Sequence, residues 1–277
     1  MRVALAQVDP QLGDVGTNLA EAGRAVGEAG EARADVVVFP ELSLHGYALG
    51  ALAGDRSLPA ADPRLARLSE HGPDVLVGLH EDAGLHRYNS AAYYSRGALV
   101  HTHRKLYLPN YLAWEERKHS SPGQRLRAFD TRWARVATLV CNDAWQPALP
   151  WLAAQDGAEV LFIPSNSASG LAADAVDVPQ HWSDLLRFIA RMQQCWVVFV
   201  NRVGHEGGAS FWGGSRVLDP GGELVAEAPS GEPSLEVVDI DTTAARRRRR
   251  EVPLLQEARL GLVSREVDRL LGEGGDA

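Results

Sequence analysis

Four short apolar runs in this chain stop abruptly on polar side chains: Phe39-Pro-Glu41, Val140-Cys-Asn-Asp143, Ile163-Pro-Ser-Asn166 and Val200-Asn-Arg-Val-Gly204. The runs are rich in β-branched residues and mostly do not alternate apolar with polar. Strands of that kind are covered by helices on at least one face and by a second layer on the other. Helical patterns lie between them, so the chain reads as α/β. Strands are expected over 3–8, 36–39, 75–79, 136–140, 160–163, 197–200 and 235–240. A hairpin is expected over 89–94 and 98–102, turning at Arg96-Gly97, and a second turn at Asp219-Pro-Gly-Gly222. Helices are expected over 17–33, with Thr17 as N-cap, near 150–155 and over 180–194. Periodicity alone leaves open whether these strands make one sheet or two.

Carboxyl ends of strands are where α/β sheets collect their sites. One strand ending in a polar residue carries no information. Four exits bearing Glu, Cys, Ser/Asn and Asn/Arg point to a common pocket.

The 277 residues fit one domain over 1–277, with no repeat, linker or break in composition. A net charge of −8 speaks against a general nucleic-acid binder. The run Arg246 to Arg250 reads as the solvated face of a helix beginning near Thr242 and ending before Pro253. Two cysteines are too few for a disulfide framework, and neither has zinc-type spacing around it. No metal site is therefore expected, and a reducing cytoplasm is the expected location. The opening Met-Arg-Val-Ala-Leu-Ala-Gln7 is too short for a signal-peptide core and reads as a first strand. No apolar run approaches a membrane span, so no membrane partner is expected.

Three residue types then stand out. Cys141 follows the run that starts at Arg135, Glu41 follows Pro40, and Lys105 lies in His103-Arg-Lys-Leu-Tyr-Leu-Pro-Asn110. Each has an ordinary explanation: a buried thiol, a solvated acid, a basic surface turn. Cys195, at a helix-to-strand join with no acid nearby, reads as structural. A thiol, a carboxylate and an ammonium together are what hydrolysis of an unactivated amide needs.

Glu41 in Phe-Pro-Glu-Leu, Lys105 in Arg-Lys-Leu-Tyr-Leu-Pro-Asn-Tyr and Cys141 in Leu-Val-Cys-Asn-Asp occur in the order Glu, Lys, Cys. They are 64 and 36 residues apart. This ordered set resembles the nitrilase, or carbon–nitrogen hydrolase, superfamily. The resemblance runs from Val3-Ala-Leu-Ala-Gln7 to Phe211-Trp-Gly-Gly-Ser215 and the Arg-rich segment. Gln7-Val-Asp-Pro-Gln-Leu-Gly-Asp14, the Lys105 segment and Cys141-Asn-Asp-Ala-Trp145 look most like the glutaminase domains of glutamine-dependent NAD synthetases. The ATP-using domain that follows in those proteins is not seen before Ala277, so the expectation is a free-standing relative whose substrate need not be glutamine.

The resemblance implies a single-domain, four-layer αββα sandwich, paired as a homodimer or higher oligomer, with the segment near 251–277 as a candidate contact. It implies a thioester mechanism with no cofactor. Glu41 would be the general base, Lys105 and the backbone N–H of Asn142 the oxyanion donors, and Cys141 the nucleophile. A second acid follows the lysine in this family. It aligns with Glu116, with Glu115 as the one-residue alternative, although His119 and Ser120 stand where the family usually has aromatics. Tyr111, Asn142, Trp145, Ser165 and Asn166 are candidate substrate contacts by motif position. Arg202 and Glu206 could hold a polar substrate tail or form a surface ion pair. The expected reaction is ammonia release from a small ω-amide or aliphatic amide. A carbamoylase resembles the Cys-Asn-Asp stretch too, but lacks its arginines here; a nitrilase would carry Trp-Glu after the cysteine. A non-catalytic interaction protein keeping the fold is the reading from another class.

Overall fold

The computed structural model describes residues 1–110, 114–169 and 177–274. In chain order the strands are β1 (Arg2–Gln7), β2 (Val36–Val38), β3 (Asp74–Ala83), β4 (His86–Ser95), β5 (Ala98–Arg104), β6 (Phe129–Asp130), β7 (Arg135–Thr138), β8 (Val160–Ser165), β9 (Ala168–Ser169), β10 (Trp196–Asn201), β11 (Val203–Glu206), β12 (Ala209–Trp212), β13 (Arg216–Leu218), β14 (Leu224–Glu227) and β15 (Ser234–Asp239). The helices are α1 (Val15–Glu31), α2 (Pro63–Arg67), α3 (Ala148–Gln155), α4 (Val178–Gln193), α5 (Thr243–Glu251) and α6 (Leu260–Gly272).

The question left open by periodicity resolves to two sheets. One has the order β15-β1-β2-β3-β4-β5, the other β14-β13-β10-β8-β7-β6. Alternate side chains of the same strands go to different layers. Val3, Leu5, Val36 and Val38 meet Val136, Val160, Phe162 and Val198 between the sheets. Ala4, Ala6, Val37 and Val75 instead pack outward on Ala22, Val26 and Ala29 of α1. On the far side, Leu161, Ile163, Val197 and Phe199 pack on Trp182, Leu186 and Ile189 of α4. Both faces of each central strand are therefore buried, which is why these strands read as unbroken apolar runs. The layers are helix, sheet, sheet, helix, as the resemblance implied.

Strands β1, β2 and β3 are parallel, and so are β7, β8 and β10. Antiparallel strands close the edges. A parallel set delivers all its carboxyl ends to one rim. That rim receives Glu41, Cys141, Ser165 with Asn166, and Asn201 with Arg202.

Three local expectations change. The N-cap of α1 is Asp14, not Thr17: its carboxylate accepts from the Thr17 N–H at 3.0 Å and from the Thr17 hydroxyl at 2.9 Å. The helix starts earlier because Asp14 accepts from the third N–H ahead of it, the usual reach of a capping carboxylate. A small third sheet, β11-β12-β9, was not expected, since its strands carry no apolar run. Helix α5 does hold the arginine run, but two of the five are tied inward: Arg246 pairs with the buried Glu159, and Arg249 donates to the Ala158 and Gln193 carbonyls. No described helix is long and apolar enough to cross a membrane.

Candidate active site

The chain leaves β2 through Pro40, which cannot donate to a ladder, and turns sharply with Leu42 at φ +48°. This turn lies directly on β3. A Cβ at Gly78 would stand 2.4 Å from both the Pro40 oxygen and the Leu42 nitrogen, so only glycine lets the two backbones meet. The turn sends the Glu41 side chain inward, where it is 1% exposed. Its Oε1 accepts from Lys105 Nζ and Asn89 Nδ2, each at 2.7 Å, and its Oε2 from the Asn166 N–H at 2.8 Å. Three donors converge on one buried carboxyl group and fix its orientation.

Lys105 follows β5 and has no exposed surface. Its N–H donates to the Asn89 carbonyl and its own carbonyl accepts from Gly123, both at 2.8 Å. A Cβ at Gly123 would collide with the Arg104 oxygen at 2.2 Å, which gives the Ser-Pro-Gly stretch its role as a clasp on this segment. Nζ bridges Glu41 and, at 2.6 Å, Oε1 of Glu116. That same Oε1 accepts the Tyr47 hydroxyl at 2.5 Å. Glu115 faces solvent and pairs with Lys118 instead. Of the two acids left open by the sequence, Glu116 is the one brought to Lys105.

Cys141 leaves β7 and opens the 3₁₀ turn Cys141–Trp145 at φ +47°. A non-glycine residue in the left-handed region stores strain, and such residues concentrate at functional sites. Asp143 holds the turn. Fully buried, it accepts from the Leu106 and Tyr107 N–H groups at 2.9 Å through Oδ1, and from the Val140 N–H at 3.1 Å and His103 Nε2 at 2.9 Å through Oδ2. One carboxylate thus joins the Lys105 segment to the Cys141 turn.

Burial, and then the Glu41 carboxylate, push the Cys141 thiol far above its ordinary pKa, with Lys105 pulling the other way. At rest the sulfur is protonated and needs a base at the moment of attack. Burial by itself would lower the Lys105 ammonium, but Glu116 and Glu41 outweigh it and hold it well above its ordinary value. Glu116 is raised to about 7, by burial first, against the pull of Lys105 and with the push of Glu41. Burial and the Glu116 charge raise Tyr47, so its hydroxyl serves as a donor. Chemically, the arrangement is a neutral thiol beside an oriented carboxylate and a locked cation.

The substrate-contact expectations fare unevenly. Tyr111 lies outside the described residues. The Asn142 amide donates to the Tyr107 carbonyl at 3.2 Å. Ser165 and Asn166 are buried at the site. The Asn166 N–H is spent on Glu41, while Ser165 Oγ and both side-chain polar atoms of Asn166 have no hydrogen-bond partner among the described residues. Trp145 stacks on His181 at 4.1 Å and meets Trp182 edge-on, against the α4 side of the second sheet. The cavity beside Glu116 is lined instead by the rings of Tyr47, Trp114 and Phe211. Arg202 and Glu206 form neither a free binding pair nor a surface pair. Arg202 is 1% exposed and salt-bridged to Glu206 and Asp9. The reason is its place directly after β10, under the loop that carries Asp9 and Pro10. Sequence reasoning missed Tyr47, Asn89 and the work of Asp143. The only signal was proximity: Tyr47 lies six residues past Glu41, and Asn89 opens the expected hairpin.

A family model described as carbon–nitrogen hydrolase matches residues 2–250. The chain belongs to that family. This carbon–nitrogen hydrolase is 33% identical over 249 residues to a glutamine-dependent NAD(+) synthetase of Thermotoga maritima, covering 87% of this chain and 42% of that protein. It therefore spans less than half the length of that relative. It is 30% identical over 275 residues to an (R)-stereoselective amidase of Pseudomonas sp, covering 97% of this chain and 95% of that one. Among solved structures, a variant of the amidase from Nesterenkonia sp. AN1 superposes with a TM-score of 0.81 at 26% identity, covering 96% of each chain. That structure shows the acetamide moiety of fluoroacetamide added covalently at the active-site cysteine.

Proposed function

We propose that this carbon–nitrogen hydrolase cleaves small primary amides through a thioester on Cys141, releasing ammonia and a carboxylic acid. The observation that carries the reading is Lys105: a fully buried ammonium held between Glu41 and Glu116 beside a strained cysteine turn. An ammonium fixed that way serves a charge that forms during reaction. The amidase relatives and the cysteine adduct in one of them support it.

Glu41 takes the thiol proton as Sγ attacks the amide carbon. The carbonyl electrons move to oxygen, and Lys105 with the Asn142 N–H faces that oxyanion. Glu41 returns the proton to nitrogen, the C–N bond breaks and ammonia leaves. Water, deprotonated by Glu41, attacks the thioester carbon; the C–S bond breaks, the acid leaves and the proton returns to sulfur. Glu116 and Tyr47 position Lys105. No step uses a metal or cofactor.

Ammonia release from a panel of aliphatic amides, ω-amides, N-carbamoyl amino acids and nitriles tests this, together with intact mass of the trapped acyl-enzyme. Turnover with adduct mass at Cys141 is expected. Adduct at Cys195, or turnover confined to the carbamoyl compounds or nitriles, overturns the assignment. We also infer a cytoplasmic homodimer. Two free thiols suit a reducing compartment, and α6 exposes Leu260, Val263, Val267 and Leu271 for a second copy. Light scattering that gives a monomer would remove the dimer.

A further inference from the structure

Beside Glu116 lies a cavity of about 200 Å³ that reaches Asn89 at its inner end. Its walls are Leu42, Leu49 and Ala209 with the rings of Tyr47, Trp114 and Phe211. Because Asn89 and Glu116 hold Glu41 and Lys105, this space adjoins the reacting groups. Its volume suits an acyl tail of a few heavy atoms, well below drug-sized pockets.

The charges around it are one-sided. Glu115, Glu116 and Glu206 line it, and no Lys or Arg does so among the described residues. Three of the cations near it are engaged. Lys105 is shared by Glu41 and Glu116. Arg202 directs Nη1 to Glu206, Nη2 to Asp9 and the Pro10 carbonyl, and Nε to the Val203 carbonyl. Lys118 is exposed and paired with Glu115. A carboxylate entering here would lose water and meet three acids, apolar and aromatic walls and the uncharged polar groups of Asn89 and Ser120, with His119 at the rim and no Lys or Arg in the lining. Such a charge has no compensation.

We infer that the acyl tail of the substrate occupies this cavity and is uncharged, so that the enzyme takes short aliphatic or arylaliphatic amides and rejects carboxylate-bearing ω-amides such as glutamine and succinamate. This rests on the hydrolase reading and narrows it. It also separates the chain from the glutaminase domains its motifs resemble, because glutamine presents a carboxylate at the end away from its reacting amide.

The test compares 4-methylpentanamide with succinamate, the same chain ended by isopropyl or by carboxylate, at about pH 8, above the ordinary histidine range. The expected kcat/KM ratio is at least about 100-fold in favour of the neutral amide. Ala51→Arg places a cation at the exposed rim and is expected to shrink that ratio about tenfold; a ratio it leaves unmoved counts against the cavity as the seat of the tail. Protection of Cys141 from iodoacetamide separates the two readings. A chain that hydrolyses neither compound, yet is protected by 4-methylpentanamide and not by succinamate, loses the hydrolase reading and keeps the tail assignment. Equal turnover of the two, equal protection or protection by neither overturns the tail assignment.

Discussion

The two cysteines occupy opposite rims of one sheet. Cys141 follows β7 at the carboxyl rim. Cys195 precedes β10 at the amino rim, fully buried among the residues that α4 packs against. Burial raises both thiols, Cys195 to about 12, with Arg249 pulling it slightly down. The direction of that shift therefore does not separate them, although Cys141 keeps partial solvent access and Cys195 has none. The difference lies in neighbours: Cys141 has a carboxylate, a locked ammonium and a left-handed backbone around it, and Cys195 has an apolar core. The rim on which a thiol lands decides whether it meets chemistry.

The strongest way to break this contrast is to delete each thiol. Cys141→Ala is expected to remove at least about 10⁴ of kcat. Cys195→Ala should stay within about twofold in rate and lose about 1 kcal/mol of stability in denaturant titration. Comparable losses from both would end the contrast. Glu41→Gln comes next. Loss of the base should cost about 10³ in kcat and slow alkylation of Cys141 by iodoacetamide, followed by peptide mass mapping, while Cys195 stays unmodified. Unchanged alkylation would mean that the thiol loses its proton elsewhere.

Asp143→Asn tests the joint between the two segments. The amide has one acceptor oxygen where four donors converge, so some N–H or ring donor is left unpaired. About 100-fold in kcat and about 2 kcal/mol in stability should go, with the surroundings of Cys195 unaffected in native-state hydrogen exchange. The smallest effect is a pH limb. A carboxyl raised to about 7 is protonated below that pH and ionised above it. The ionised form clamps Lys105, so kcat/KM is expected to rise through about pH 7. Glu116→Gln should flatten that limb and cost about tenfold at pH 8; a limb that persists in the variant belongs to another group.

The parts legible in the sequence were those written in local pattern. Unbroken apolar runs such as Val36 to Val38 follow from burial on both faces, and their polar exits mark the rim. Glu41 and Cys141 were found because each closes such a segment, and Lys105 because it stands between them in the ordered Glu, Lys, Cys motif set. Asn89 and Tyr47 were not, because their value lies in partners 48 and 69 residues away, and neither breaks a local pattern. Arg202 was left between a substrate contact and a surface ion pair for the same reason; its pair with Glu206 is present but buried. Its residue type suggests a ligand, but Asp9, 193 residues earlier, claims it. Trp145 showed that motif position fixes the backbone path better than the direction of a ring.

The contact at Gly78 has a consequence for how chains of this kind are sorted. The Glu41 turn sits where it does because main chain touches main chain, with no side chain between them. A sequence with alanine at position 78 would keep Glu41, Lys105 and Cys141 and pass every motif inspection, yet its carboxylate would be pushed off the lysine. Silent, correctly folded siblings of this enzyme are therefore to be sought by a methyl group on β3, in chains whose triad letters are all intact.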